Sequence, residues 1–132
     1  MARDSNVENM ADYEERISQA HAVMSLFQEW DIGKPQQMKL LGIEGEEREL
    51  TKFRNGSPLP DNREVLERVD SLIKIGNALH INFPRTLAGG AIWLRNTNKY
   101  LPKRPPLTIM LEDGIVGIRQ VLVRLDCTQG WD

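Results

Sequence analysis

Residues 61–83, DNREVLERVDSLIKIGNALHINF, place Val65, Leu66, Val69, Leu72, Ile73 and Leu79 at steps of three and four. That spacing lines one face of a helix with apolar side chains. Asp61 followed by Glu64 has the pattern of a capping box, so the helix is expected to open there. Pro84 closes it, because proline cannot continue a helix.

Working outward toward the N terminus, Ser57-Pro-Leu-Pro60 is expected to be an extended linker. Glu44–Phe53 is expected to form a helix stopped by Asn55-Gly56, and Pro35–Leu41 a shorter one. The latter turns Met38, Leu40 and Leu41 inward and ends at Gly42 in a left-handed conformation. Between Tyr13 and Trp30, the residues Ile17, Ala20, Val23, Met24, Phe27 and Trp30 recur on a further helical face, stopped by Asp31-Ile-Gly33. Residues 1–11 carry little that could pack and are expected to be a disordered tail.

Toward the C terminus, a helix is expected over Thr86–Asn96, with Trp93 in the core beside Ile92 and Leu94. A loop, Asn98–Arg104, leads to a brief helix that opens at Pro105-Pro106 and runs to Leu111. Asp113-Gly114 breaks it, and Val116–Cys127 forms the last helix on Ile118, Val121, Leu122 and Leu125. No segment combines strand alternation with a hairpin turn, and neither an internal repeat nor a low-complexity tract is visible. The expected class is all-α, with a helix-turn-helix-like bundle over 12–60 packed with a helical domain over 61–132.

The 132 residues, 40% hydrophobic and 27% charged, suffice for a core without disulfides or metal. The single cysteine, Cys127, has no partner within the chain, and His21 and His80 are too few for a cysteine/histidine zinc cluster. No metal or cofactor is expected. The polar start MARDSNVENMADYEER has no signal-peptide core, and no apolar run approaches the roughly 20 residues that cross a bilayer. A soluble, cytoplasmic protein without a membrane partner is therefore expected.

Catalytic chemistry finds little footing. A cysteine nucleophile needs a histidine base within reach, and nothing in the sequence pairs Cys127 with His21 or His80. Gly89-Gly90 lacks both the phosphate-loop pattern and the preceding strand. Glu44, Glu46, Glu47 and Glu49 are better placed to favour a helix N terminus than to bind metal. No catalytic residue is expected; under an enzyme reading, Cys127 is the only nucleophile candidate.

Charge is uneven. Residues 1–60 hold 7 basic and 11 acidic side chains, and residues 61–132 hold 10 and 8. Arg95–Arg104 (RNTNKYLPKR) has four basic residues and no acid, which suits either a solvated loop or a docking surface for an acidic partner. Residues 34–56, KPQQMKLLGIEGEERELTKFRNG, have the outline of a helix-turn-helix whose second helix carries Arg48, Lys52 and Arg54. Five basic and four acidic residues leave that window at only +1, while DNA affinity grows with the phosphates neutralised. A helical hairpin that merely packs is the competing account.

Residues 93–130, WLRNTNKYLPKRPPLTIMLEDGIVGIRQVLVRLDCTQG, resemble the toxin-binding domain of the Xre/MbcA/ParS antitoxin family. The elements that carry the likeness are Trp93-Leu94, Asn98, Leu101, Pro106-Leu107, a glycine turn, a valine/leucine helix with Arg119 and Arg124, and the terminal glycine. FQEWDIGKPQQMKLLGI, RNGSPLP and RVDSLIKIGNALHINFP upstream extend the likeness to roughly residues 17–131. Where many relatives place Gly-Gly after the leucine matching Leu101, this chain has Pro102-Lys103, which stiffens the loop.

The resemblance implies a bacterial type II antitoxin that directly binds and inhibits a RES-domain toxin, an enzyme that consumes NAD⁺. It also implies a homo-oligomer within a toxin–antitoxin complex, and operon autoregulation through operator DNA at Arg48, Lys52 and Arg54. Residues 61–132 would be the toxin-binding domain, with Arg95, Asn98, Lys103, Arg104, Arg119 and Arg124 as candidate contacts. Trp131 is a candidate anchor, and Asp132 adds a carboxylate that could occupy the cationic site gripping the cofactor's diphosphate. A stand-alone helix-turn-helix repressor is the alternative.

Overall fold

The computed structural model describes the backbone of residues 2–128 and the side chains of 12–126 apart from Leu87. Six helices follow in order: α1 (Ala2–Glu29), α2 (Lys34–Leu41), α3 (Glu49–Arg54), α4 (Arg63–Asn82), α5 (Leu87–Leu94) and α6 (Pro106–Thr128). No strand occurs among the described residues, so the all-α class holds.

Helix α4 is the axis of the molecule and packs on α6, α1, α5 and α2. Its buried residues Val65, Val69, Leu72, Ile75 and Leu79 follow the helical spacing of the sequence. Asn62, rather than Asp61, caps it: the Asn62 backbone is extended, and its Oδ1 accepts a hydrogen bond from Val65 N at 3.1 Å. Both residues are good caps; the one whose side chain meets a free N–H takes the role. Glu64, expected to close a capping box, instead reaches Arg68 at 3.1 Å.

Trp30, Phe27, Leu40, Leu41, Leu50, Leu59, Leu72, Ile75, Leu79, Leu94, Met110 and Ile118 are the largest fully buried side chains. They come from both halves of the chain and belong to one cluster. The 57–60 linker is extended, and it is also pinned. Leu59 is fully buried, and its carbonyl accepts from Arg16 Nη1 at 2.9 Å. Burying a leucine contributes about 1.5–3 kcal/mol, enough to fix so short a segment.

Two boundaries differ by about five residues or more from the sequence reading. Helix α1 begins at Ala2, where a disordered tail over 1–11 is expected; that stretch contains neither proline nor glycine, and its alanine, methionine and glutamate residues favour helix. Helix α3 begins only at Glu49, five residues later than expected, because Gly45 adopts φ 136 and turns the chain. Residues 44–48 are therefore loop and turn.

Helix α6 bends at Gly114, whose φ 63 and ψ −139 lie outside the helical region. The break expected at Asp113-Gly114 is thus present, and a side chain there would be strained. Arg68 lies against this bend. Its side chain is 13% exposed, Nη2 pairs with Glu64, and Nη1 donates to Lys39 O at 3.3 Å. A Cβ at Gly42 would stand 2.7 Å from its Nε, and one at Gly114 3.2 Å from its Nη2. One guanidinium thereby ties the end of α2 to α4 and to the kink in α6.

Candidate protein-docking surface

The segment from α5 through α6 holds most of the expected partner contacts, and local chemistry sets its shape. Thr86 caps α5, its Oγ1 accepting from Ala88 N at 3.2 Å. After α5 the chain turns at Asn98, whose Oδ1 accepts from Tyr100 N at 2.9 Å and Leu101 N at 3.0 Å. Leu94, Leu101 and Leu107 are buried on either side of this turn. Asn98 is consequently a loop-building residue. Its remaining polar atom, Nδ2, is buried and has no hydrogen-bond partner among the described residues.

The expected cationic contacts fall into two groups. Three are engaged within the chain. Arg95 donates from Nη1 to Ala91 O at 3.1 Å and from Nη2 to Asp31 O at 2.9 Å, tethering α5 to the turn after α1. Arg104 grips both Asp113 oxygens, at 3.1 and 2.7 Å, and also reaches Glu112 at 3.0 Å. These hydrogen bonds hold the Asp113 carboxyl below its usual range and push the Arg104 guanidinium further up. Arg119 reaches Glu67 of α4 at 2.9 Å. Lys103 and Arg124 are exposed, with no ion pair among the described residues. Trp131 and Asp132 lie outside the described residues, and Cys127 falls in α6 with its side chain also outside them.

Sequence reasoning missed two residues on this surface. Val116 is 66% exposed and Val123 is 58% exposed, both on α6 and one heptad apart. The core face of α6 after the kink is Ile118, Val121 and Leu125, with Leu122 partly buried. Val116 and Val123 sit off that face. The signal was available in the spacing: two valines outside an otherwise complete apolar stripe. Arg119 lies three residues after Val116, and Arg124 directly follows Val123, so the outward side of α6 alternates branched apolar and cationic groups.

Trp93 packs against the core as expected, but at its edge. Leu94 is fully buried, but Trp93 is only partly so, and Ile92 is 62% exposed. A helix as short as α5 has one inward face, and Leu94 takes it. Trp93 and Ile92 instead line an open cleft of about 430 Å³ together with Phe83 and Gly89.

The helix-turn-helix candidates have a different setting. Arg48 precedes α3, is largely exposed, and pairs with Glu46 at 2.6 Å. Lys52 and Arg54 are exposed in the last turn of α3, while Leu50 and Phe53 anchor that helix in the core. At 1.5 Å per residue the six-residue helix is only about 9 Å long. Exposed Glu44, Glu46 and Glu47 precede it.

Among the described residues, no group of three or more histidine, cysteine, aspartate or glutamate side chains could hold a metal, and no helix is long and apolar enough to cross a membrane. His80 Nε2 lies 2.8 Å from Glu29 Oε2 and links α4 to α1. No family model matches the chain, and a search of curated proteins finds no match.

Proposed function

We propose that this chain is a binding protein of the antitoxin kind, which neutralises a toxin by covering it with the outward side of α6. The observation that carries the reading is the exposure of Val116 and Val123 beside Arg119 and Arg124 on one helix. Branched apolar side chains left 66% and 58% exposed on a helix whose other face completes a core are available to a partner. Fully burying such a side chain contributes about 1.5–3 kcal/mol, and Arg124, which has no ion pair among the described residues, supplies direction and charge selection.

The resemblance of residues 93–130 to a toxin-binding domain supplies the kind of partner, a RES-domain protein that consumes NAD⁺. Inhibition is then steric. Trp131 and Asp132 follow α6 in the sequence, and a tryptophan followed by a carboxylate suits a pocket built for an anionic cofactor. Operator binding through Lys52 and Arg54 forms part of the same proposal, as do assembly with further copies and residence in the cytoplasm. Co-expression with the product of the adjacent reading frame tests the reading. Growth and cellular NAD⁺ are expected to be restored and the two proteins to co-purify. A toxic neighbour left active and unbound overturns it.

A further inference from the structure

An open pocket of about 180 Å³ lies between α1 and α3, lined by His21, Met24, Ser25 and Gln28 of α1 and Arg54 of α3. No residue of α5 or α6 takes part in it. The α1 residues recur at steps of three and four, so they share one face of that helix. Met24, only 4% exposed, is the apolar floor, and the buried Leu50 and Phe53 hold α3 on the core beside α1. Arg54 directly follows Phe53 and is exposed, as are His21, Ser25 and Gln28. No hydrogen bond or ion pair engages the side chains of these four among the described residues.

We infer that this pocket binds a phosphate group. Each of its polar side chains donates: the guanidinium has five N–H groups, the amide two, the hydroxyl one, and an imidazole at least one in either tautomer. No acceptor-only group lines it. The planar fork of Arg54 matches two phosphate oxygens at once, and a phosphate's remaining oxygens point toward other walls. Donors converging from two helices suit such a tetrahedral group better than a planar carboxylate.

The carboxylates of the same two helices stand outside the pocket. Glu29 is 2.8 Å from His80, which holds it toward α4. Glu14 and Glu15 precede His21 by seven and six residues, about 9–10 Å along the axis. Glu49 opens α3, five residues before Arg54, and Asp31 lies beyond the end of α1. Lys52, exposed in the last turn of α3 and without an ion pair among the described residues, adds a second cation nearby. Two sources present a phosphate: a nucleic-acid backbone and a free phosphate ester. The first case rests on the operator-binding part of the proposal above and adds α1 to its contacts; the second stands apart from it.

The chain has two histidines, and only His21 lines the pocket, so the imidazole proton resonances of the full-length protein report on it directly. His80, beside Glu29, is the internal control, and His21→Gln assigns the two signals. Inorganic phosphate, titrated at constant pH, is expected to move the His21 signal saturably and to leave His80 in place. Acetate at matched ionic strength is expected to move neither. Arg54→Gln, at an exposed position, is expected to weaken phosphate binding at least about tenfold, as loss of a charge-assisted bond does. Circular dichroism and an unmoved His80 signal check that the variant stays folded. A nucleoside monophosphate and a short DNA duplex, titrated in turn, separate the two sources. Phosphate bound without the duplex keeps the pocket and counts against operator binding. A His21 signal that phosphate leaves in place, one that acetate moves equally, or an affinity unchanged in Arg54→Gln each overturns the assignment.

Discussion

Asn98 and Asp113 show how single side chains decide what α5 and α6 can offer a partner. In the sequence, Asn98 is a candidate contact and Asp113 is part of a helix break. In the fold, Asn98 Oδ1 is committed to two backbone N–H groups, and Asp113 is committed to Arg104. The lowered Asp113 carboxyl has a consequence for pH. A group more acidic in the folded state stabilises the fold above its unfolded value of about 3.9, and that contribution is lost as pH falls through the folded value. Asp113→Asn is therefore expected to melt below the wild type near neutrality, with the gap closing on acidification. Thermal unfolding followed across pH checks this. A gap of constant size at every pH contradicts it. Arg104 was legible as a cation but not as an occupied one, because its partners lie eight and nine residues ahead, across a loop and a helix start.

Helices α4 and α6 were legible because their apolar residues repeat over several turns, and the core needs that face whatever the surrounding detail. Helix α3 was less so. Its glutamate-rich approach scores well as helix, but Gly45 at φ 136 redirects the backbone, and composition cannot show which conformation a glycine takes. The bend in α6 was readable from Asp113-Gly114, whereas its fit against Arg68 depends on residues 46 positions apart. Gly114→Ala tests the bend at this scale. With φ 63 and ψ −139, alanine is expected to cost more than about 1 kcal/mol in urea unfolding. An unchanged midpoint would mean that the two parts of α6 can straighten into one helix without loss. The exposed valines were legible in principle. Once the core face of α6 is assigned, Val116 and Val123 remain on the outside, a place that folding alone does not require of them.

For the whole molecule, α1, α4 and α6 share one core, and the functional asymmetry lies on its surface. Acidic side chains predominate in the first 60 residues, cationic ones in the loop before α6, and the outward side of α6 sets two valines beside two arginines. Under the proposed function that helix face meets a foreign partner, and neither Val116 nor Val123 belongs to the core behind it. Val123→Asp changes a residue 58% exposed, so thermal stability is expected to hold while binding falls. The decisive measurement is titration of the purified adjacent-frame protein with wild type and with Val123→Asp. The account predicts a tight wild-type complex and at least about tenfold weaker binding by the variant at unchanged melting temperature. Equal affinity for the two would contradict it.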